Sequence, residues 1–230
     1  MQPSIKVIIP AYNEEESIGY VLKDIPNHVQ EVIVVSNAST DTTEEVAARG
    51  GATVLVESAM GYGNACLKGL HYIATQEQQP DIVVFIDGDY SDYPEQLDAI
   101  IAPILKENVD MVIGARDKRL REKGSMTIPQ IFGNWLATTL MSLFFGAKFT
   151  DLGPFRAMKY DSLLALGMQD KTYGWTVEMQ LKVLKRKMTY TEVPVKYRNR
   201  IGVSKVSGTI KGAIFAGIKI LSWIFKYSFK

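Results

Sequence analysis

The chain is poor in the residues that make covalent or metal staples: one cysteine, Cys66, and two histidines, His28 and His71, among 230 residues. A single cysteine excludes an internal disulfide framework and fits a reducing compartment. No motif surrounds Cys66, which reads as a small buried apolar residue. The histidines lack metal-ligand spacing, so a histidine-based metal site is not expected. Net charge is equally scarce, +1 from 26 basic and 25 acidic residues. That balance gives no overall field for nucleic acid, and any basic site must be local. Internal repeats and low-complexity linkers are missing. No charged stretch followed by an apolar one opens the chain, so no secretory signal is expected. An early glycine-rich, basic triphosphate loop is also lacking, which disfavours nucleotidyl transfer.

What is present is ample apolar material, 47% of residues, enough for one large domain. Short β-branched runs (Ile5–Ile9, Glu31–Val35, Thr53–Val56, Ile82–Ile86, Met111–Ile113) alternate with helical stretches. That beat predicts βαβ units and a mostly parallel α/β sheet flanked by helices. Asn13 with Glu16, and Ser39/Thr40 before Thr43-Glu44-Glu45, resemble helix N-caps with acidic first turns. Pro94 sits in the favoured first position of a helix.

The second half changes character. Residues 124–147 carry no charge and are long enough to cross a bilayer, but Pro129, Gln130, Asn134 and several hydroxyl residues make a poor span. A crossing here would also separate Asp87 from the later polar motifs. The segment reads as a buried core helix or as the flank of an apolar acceptor groove. In residues 207–230, Lys211, Lys219, Lys226 and Lys230 fall within about 100° of helical arc, with Ile214, Leu221 and Ile224 outside it. Such an amphipathic C-terminal helix suits a membrane interface or packing on its own domain or a partner subunit. Its lysines interrupt any span.

Four polar clusters fall at the ends of successive strands. Pro10-Ala11-Tyr12-Asn13-Glu14 offers an aromatic, an amide and a carboxylate, a set that can stack on a base or form a cap and turn. Ser36-Asn37-Ala38-Ser39-Thr40-Asp41 can read a nucleobase or cap the next helix. Gly61-Tyr62-Gly63 opens a helix, where glycines let backbone N–H groups approach an anion, although the spacing does not fit the dinucleotide pattern. Asp87-Gly88-Asp89 ends the apolar run Ile82–Ile86. Carboxylates are hard oxygen ligands, and Mg²⁺ is commonly held by one or two of them plus substrate phosphates. Ligands of open α/β sheets bind outside the carboxyl ends of the strands.

The order of these clusters closely resembles the family-2 glycosyltransferases, whose GT-A fold binds a nucleotide-sugar through such loops. The likeness extends through Asp151-Leu152-Gly153-Pro154-Phe155-Arg156, Gly174-Trp175-Thr176-Val177-Glu178 and Val193-Pro194-Val195-Lys196-Tyr197-Arg198. Arg200-Ile201-Gly202-Val203-Ser204-Lys205 is similar to the Arg-x-Gly-x-Ser-Lys signature of polyprenyl-phosphate sugar synthases. The resemblance covers about residues 5–206 and implies a GT-A domain over 1–206, followed by the tail helix.

By that resemblance, Pro10, Ala11, Tyr12, Asn13 and Glu14 contact the nucleoside, with Asn37 and Asp41 beside the base. It places Gly61, Gly63 and Gly88 at the donor and Asp87 and Asp89 on Mg²⁺ or Mn²⁺ against the diphosphate. Arg156, Arg200 and Lys205 supply positive charge, with Ser204 beside them. Asp89, Asp151, Arg156 and Glu178 are the implied catalytic residues. Two departures stand out. The turn commonly written Asp-Asp-x-Ser reads Ser36-Asn37-Ala38-Ser39, so base selection is not inherited. Ser91 replaces the glutamine of mannose synthases, so neither is that donor sugar.

The acceptor decides whether a base is needed. A sugar hydroxyl requires deprotonation, for which Asp151 or Glu178 would serve, whereas a phosphate monoester is already anionic. The region lacks the paired carboxylates typical of hydroxyl-acceptor relatives. The expectation is an inverting, metal-dependent transferase moving a hexose from UDP- or GDP-sugar to dolichyl or undecaprenyl phosphate. It would be peripheral at the cytoplasmic membrane face, alone, as a homodimer or with a membrane subunit. The alternatives are transfer to a glycan or small-molecule hydroxyl, and a non-catalytic nucleotide-sugar-binding subunit.

Overall fold

The structure is a computed structural model that describes residues 3–202 and 210–228, with the side chains of 210–216 outside the description. Seven strands form one sheet in the order β3-β2-β1-β4-β6-β5-β7. They are β1 (Ile5–Ala11), β2 (Glu31–Asn37), β3 (Thr53–Glu57), β4 (Ile82–Phe85), β5 (Met111–Arg121), β6 (Arg156–Lys159) and β7 (Tyr190–Tyr197). The five strands expected from the β-branched runs are all present. β1 pairs in parallel with β2 and β4, and β2 with β3. β6 is antiparallel to both β4 and β5, while β7 returns parallel to β5.

Among the described residues the helices are α1 (Ile18–Asp24), α2 (Thr43–Arg49), α3 (Tyr62–Ala74), α4 (Leu97–Glu107), α5 (Ile128–Phe145), α6 (Tyr160–Leu166), α7 (Trp175–Lys185) and α8 (Ile210–Ser228). Alternation along β1 sends Ile8 to one face of the sheet and Ile5, Val7 and Ile9 to the other. The Ile8 face packs against α3, α5, α7 and α8 through Cys66, Met141, Trp175 and Ile224, and the opposite face against α1, α2 and α4. Each wholly buried Ile, Val or Phe contributes roughly 1.5–3 kcal/mol of transfer free energy.

Helix starts depart from the sequence expectation. Asn13 is not the N-cap of α1; it sits at φ 53° and its Oδ1 accepts from the Thr40 N–H at 2.8 Å, tying the first loop to the second. α1 starts later, after Ser17, and α2 follows Thr42, whose N–H is taken by the Glu15 carboxylate. Pro94 opens a 3₁₀ turn, Pro94–Gln96, that leads into α4.

α5 is the uncharged segment. Thr127 and Gln130 form a reciprocal cap at its start, and Gly146 at φ 64° closes it. It is not a core helix throughout: Ala137, Thr138 and Met141 are buried, whereas Ile128 is 83% and Leu143 73% exposed. Among the described residues no helix is long and apolar enough to cross a membrane. α8 packs on α5 and α7, burying Trp223 and Ile224. Lys219 turns inward onto Asp170 at 3.1 Å, so the lysine arc does not face wholly outward.

Candidate active site

At the carboxyl ends of β1, β2 and β4 lies a cleft of about 400 Å³. Pro10, Ala11, Tyr12 and Glu14 line one side, Asn37 and Gly61 another, and Asp87, Gly88 and Asp89 the β4 end. The strand-end argument of the sequence thus holds in space. Parallel pairing brings the three strand tips to one edge, as ligand sites of open α/β sheets require.

The two aspartates differ in their surroundings. Asp89 is buried; its Oδ1 accepts from the Ser91 N–H at 2.9 Å and from the Ser91 hydroxyl, while its Oδ2 pairs with Arg200. Ser91 thereby orients Asp89. Among the described residues, Asp87 Oδ1 is buried with no hydrogen-bond partner. Burial, and then the neighbouring charge of Asp89, push the Asp87 carboxyl up to about 7. Near them, both carboxylate oxygens of Asp92 are buried without a hydrogen-bond partner among the described residues, and burial followed by the Asp87 and Asp89 charges raises its pKa well above the carboxylate range.

Arg200 reaches the pair because its segment is stitched to the β4 loop. Arg198 N–H donates to Ser91 O at 2.9 Å and Ile201 N–H to Asp89 O at 3.0 Å. The Arg198 guanidinium lies over Tyr90 and Tyr93, 3.6 and 3.8 Å from the ring centroids. Arg200 is not saturated by Asp89: among the described residues its Nε is buried without a hydrogen-bond partner, and Glu14 stands 3.9 Å away. Ser204 and Lys205 lie outside the described residues.

Other expected residues serve the walls. Asn37 Nδ2 donates to Glu57 O and Ala59 O, and its Oδ1 accepts from Gly61 N at 2.7 Å, so it braces the loop before α3 while lining the cleft. Asp41 accepts from Thr43 N and Glu15 N, holding the first two loops together outside the lining. Gly61 and Gly63 do not present free amides to an anion. Gly63 N donates to Thr172 O at 3.2 Å and Asn64 N to Lys171 O at 3.0 Å. The glycines are needed for that approach: a Cβ on Gly63 would stand 2.0 Å from Asp170 O, and one on Gly61 2.2 Å from Lys171 O.

Three residues expected to be catalytic are placed away from the cleft lining. Asp151 forks onto Arg116, with Nε at 2.8 Å and a second contact at 2.5 Å, and accepts from the Arg116 N–H. Burial alone would raise its pKa, yet the Arg116 charge and hydrogen bonds hold it below the usual range. Glu178 is wholly buried, accepting from Gln169 N and Asp170 N and pairing with Lys182 at 2.7 Å. Arg156 is buried and donates to the carbonyls of Leu152, Gly153 and Thr176, bracing the walls from behind. The reason is common to all three: each charge is already met by a partner inside the fold.

Further residues line the cleft: Tyr62, Thr176 and Tyr197, which stand in the quoted motifs without an assigned role, and Arg116, Gln130 and Tyr173, which sequence reasoning missed. Arg116 follows Gly114-Ala115 midway along β5, a position whose place at the cleft emerges once β6 is inserted between β4 and β5. Arg116 also borders a second cavity of about 460 Å³, together with Lys118, Arg121, Asn134, Asp151 and Glu192. Among the described residues, no three acidic, histidine or cysteine side chains gather as a metal cage. A cation at Asp87 and Asp89 would therefore complete its shell from substrate oxygens and water, as Mg²⁺ commonly does.

Comparison with known proteins agrees with the geometry. The chain is 34% identical over 221 residues to an uncharacterized glycosyltransferase of Mycobacterium tuberculosis, covering 93% of this chain and 94% of that protein. It is 29% identical to the undecaprenyl-phosphate mannosyltransferase of Micrococcus luteus, covering 95% and 93%, and 30% identical to a dolichyl-phosphate hexose transferase of Haloferax volcanii, covering 91% and 89%. The fold is shared with glucosyl-3-phosphoglycerate synthase of Mycobacterium tuberculosis, solved with Mn²⁺, UDP-glucose and phosphoglyceric acid. The TM-score is 0.78 at 21% identity, over 98% of this chain and 80% of that one. With the description "Glycosyl transferase family 2" matching residues 6–167, the chain belongs to glycosyltransferase family 2.

Proposed function

We propose that the protein transfers a hexose, with inversion, from a UDP- or GDP-sugar to a polyprenyl phosphate held at a membrane surface. The observation that carries this reading is the Asp87/Asp89 pair at the edge of the cleft, one oxygen of it buried and, among the described residues, without a hydrogen-bond partner. Such hard oxygens fit Mg²⁺ or Mn²⁺, the ions present in solved structures of the fold relative. Bound there, the ion would supply positive charge to the departing diphosphate.

The remaining work falls to the chain. Tyr12 offers its ring to the base and Glu14 a carboxylate to the nucleoside, while Asn37 braces the wall beside them. Ser91 keeps Asp89 oriented. Arg200, paired with Asp89 at the cleft, would add charge at the diphosphate. A single displacement at the anomeric carbon inverts its configuration.

A phosphate acceptor is supported by the state of the carboxylates at the cleft, although Asp117 and Glu192 line the second cavity. Those lining the cleft are Glu14, Asp87 and Asp89, all assigned to the donor side, while Asp151 and Glu178 are consumed by Arg116 and Lys182. A phosphate acceptor needs no base. The second cavity offers Lys118 and Arg121 to a phosphate and opens beside α5, where Ile128, Phe132 and Trp135 are exposed. That juxtaposition suits a charged head with an apolar tail, and the exposed Ile218 and Phe225 of α8 add apolar surface at the Phe144–Phe225 ring contact. The names of the mannosyltransferase and hexose transferase relatives agree.

The test supplies labelled UDP- and GDP-hexoses with membrane extract and Mn²⁺. The expected product is an organic-soluble sugar phosphate released by mild acid, and lost with Asp89→Ala in a folded protein. An acid-stable glycoside would instead favour a hydroxyl acceptor, and undiminished function of Asp89→Ala a binding subunit.

A further inference from the structure

We propose that Asp170 is a positioning residue that latches α8 to the wall of the cleft, making donor affinity depend on how α8 is docked. This rests on the cleft being the donor site. The two oxygens of Asp170 have separate duties. Oδ1 accepts from the N–H of Thr172 at 2.7 Å and of Gly174 at 3.0 Å, folding the loop between α6 and α7. Oδ2 accepts from Trp223 Nε1 at 2.6 Å and Lys219 Nζ at 3.1 Å, both on α8.

The side chain is enclosed, with none of its surface exposed. Burial would raise the Asp170 carboxyl, but the bonds from Thr172, Trp223 and Lys219 hold it below its ordinary value. The contact is cut to fit. A Cβ on Gly174 would lie 2.5 Å from Trp223 Nε1 and 2.6 Å from Asp170 Oδ2, so a side chain there would drive the indole away.

From this loop the connection to the cleft is direct. The carbonyls of Lys171 and Thr172 accept from Asn64 N and Gly63 N, fixing the first turn of α3. Gly61, Tyr62, Tyr173 and Thr176, on either side of that junction, line the cleft. Displacing α8 withdraws two donors from Asp170, frees the loop and loosens both walls. Coupling is reciprocal for binding, so a bound nucleotide must in turn tighten α8.

The experiment compares native protein with Trp223→Phe, which removes one donor from Oδ2, and with Asp170→Asn. The asparagine keeps an oxygen for Thr172 and Gly174 but turns an NH₂ toward the α8 donors. Binding of UDP and GDP with Mn²⁺ is measured alongside hydrogen exchange of residues 61–64 and 169–174. Each variant is expected to weaken nucleotide binding and raise donor KM about tenfold, equivalent to about 1.4 kcal/mol, with kcat little changed. Exchange should quicken at 61–64, and Lys219→Arg, which keeps a donor, should behave as native.

Unchanged affinity and unchanged protection at 61–64 in a folded Trp223→Phe protein would overturn the latch. Native protein that binds neither nucleotide would overturn the donor reading instead. In that case the exchange at 61–64 still decides the latch.

Discussion

Asp87 gives the sharpest quantitative test. Its carboxyl titrates at about 7 because burial and then the Asp89 charge favour the protonated form, and a metal ion requires the ionised one. Displacing one proton makes apparent affinity fall by a factor of one plus ten to the power of pKa minus pH. Relative to high pH, Mn²⁺ should bind about 2-fold more weakly at pH 7, about 11-fold at pH 6 and about 100-fold at pH 5. The measurement is Mn²⁺ binding, by calorimetry or by the spin resonance of free Mn²⁺, without nucleotide, whose terminal phosphate titrates near 6. Asp87→Asn should weaken binding and abolish this dependence. The sign is the same in stability. A carboxyl raised in the folded state contributes stability below about pH 4 that is lost as pH rises through about 7. Native protein without metal should therefore lose ground against Asp87→Asn over that interval. Affinity that stays flat from pH 5 to 8 would refute the reasoning.

Three further outcomes are expected. Asp151→Asn should destabilise the fold by about 3–5 kcal/mol, because it strands the buried Arg116 charge; a thermal melt unchanged from native would count against a scaffold role. Gly63→Ala should cost about 1–3 kcal/mol as a Cβ is forced onto the Asp170 carbonyl, read by urea unfolding, and should loosen the cleft wall. Trp135→Glu, on the exposed face of α5, should shift stability by no more than about 0.5 kcal/mol. It should nevertheless depress transfer to acceptor in vesicles while sparing a short, water-soluble prenyl phosphate, and equal loss with both acceptors would argue against a lipid-facing α5.

The strands that build the donor side were legible because β-branched runs buried on both faces read as parallel strands. The polar clusters at their ends were legible for the same reason, since strand tips of such a sheet share one edge. The acceptor side was not. β6 enters antiparallel between β4 and β5, and only that reversal carries Arg116, Tyr197 and the α7 start to the cleft. Asp151 and Glu178 looked available because their partners, Arg116 and the 169–170 amides, are remote in sequence or invisible as side chains. The glycines of 61–63 suggested an anion cradle; they serve close backbone packing instead, which identical spacing cannot reveal. Lysine periodicity found α8 as a helix, but Asp170 decides which way Lys219 turns.

The decisive observation is the position of Mn²⁺, located by anomalous scattering in crystals grown with the ion and a nucleoside diphosphate. The ion should lie between Asp87 and Asp89 against the diphosphate oxygens, with Arg200 drawn off Asp89. Manganese elsewhere, with the Asp89–Arg200 pair intact, would mean that these aspartates do not hold the metal of a glycosyl transfer.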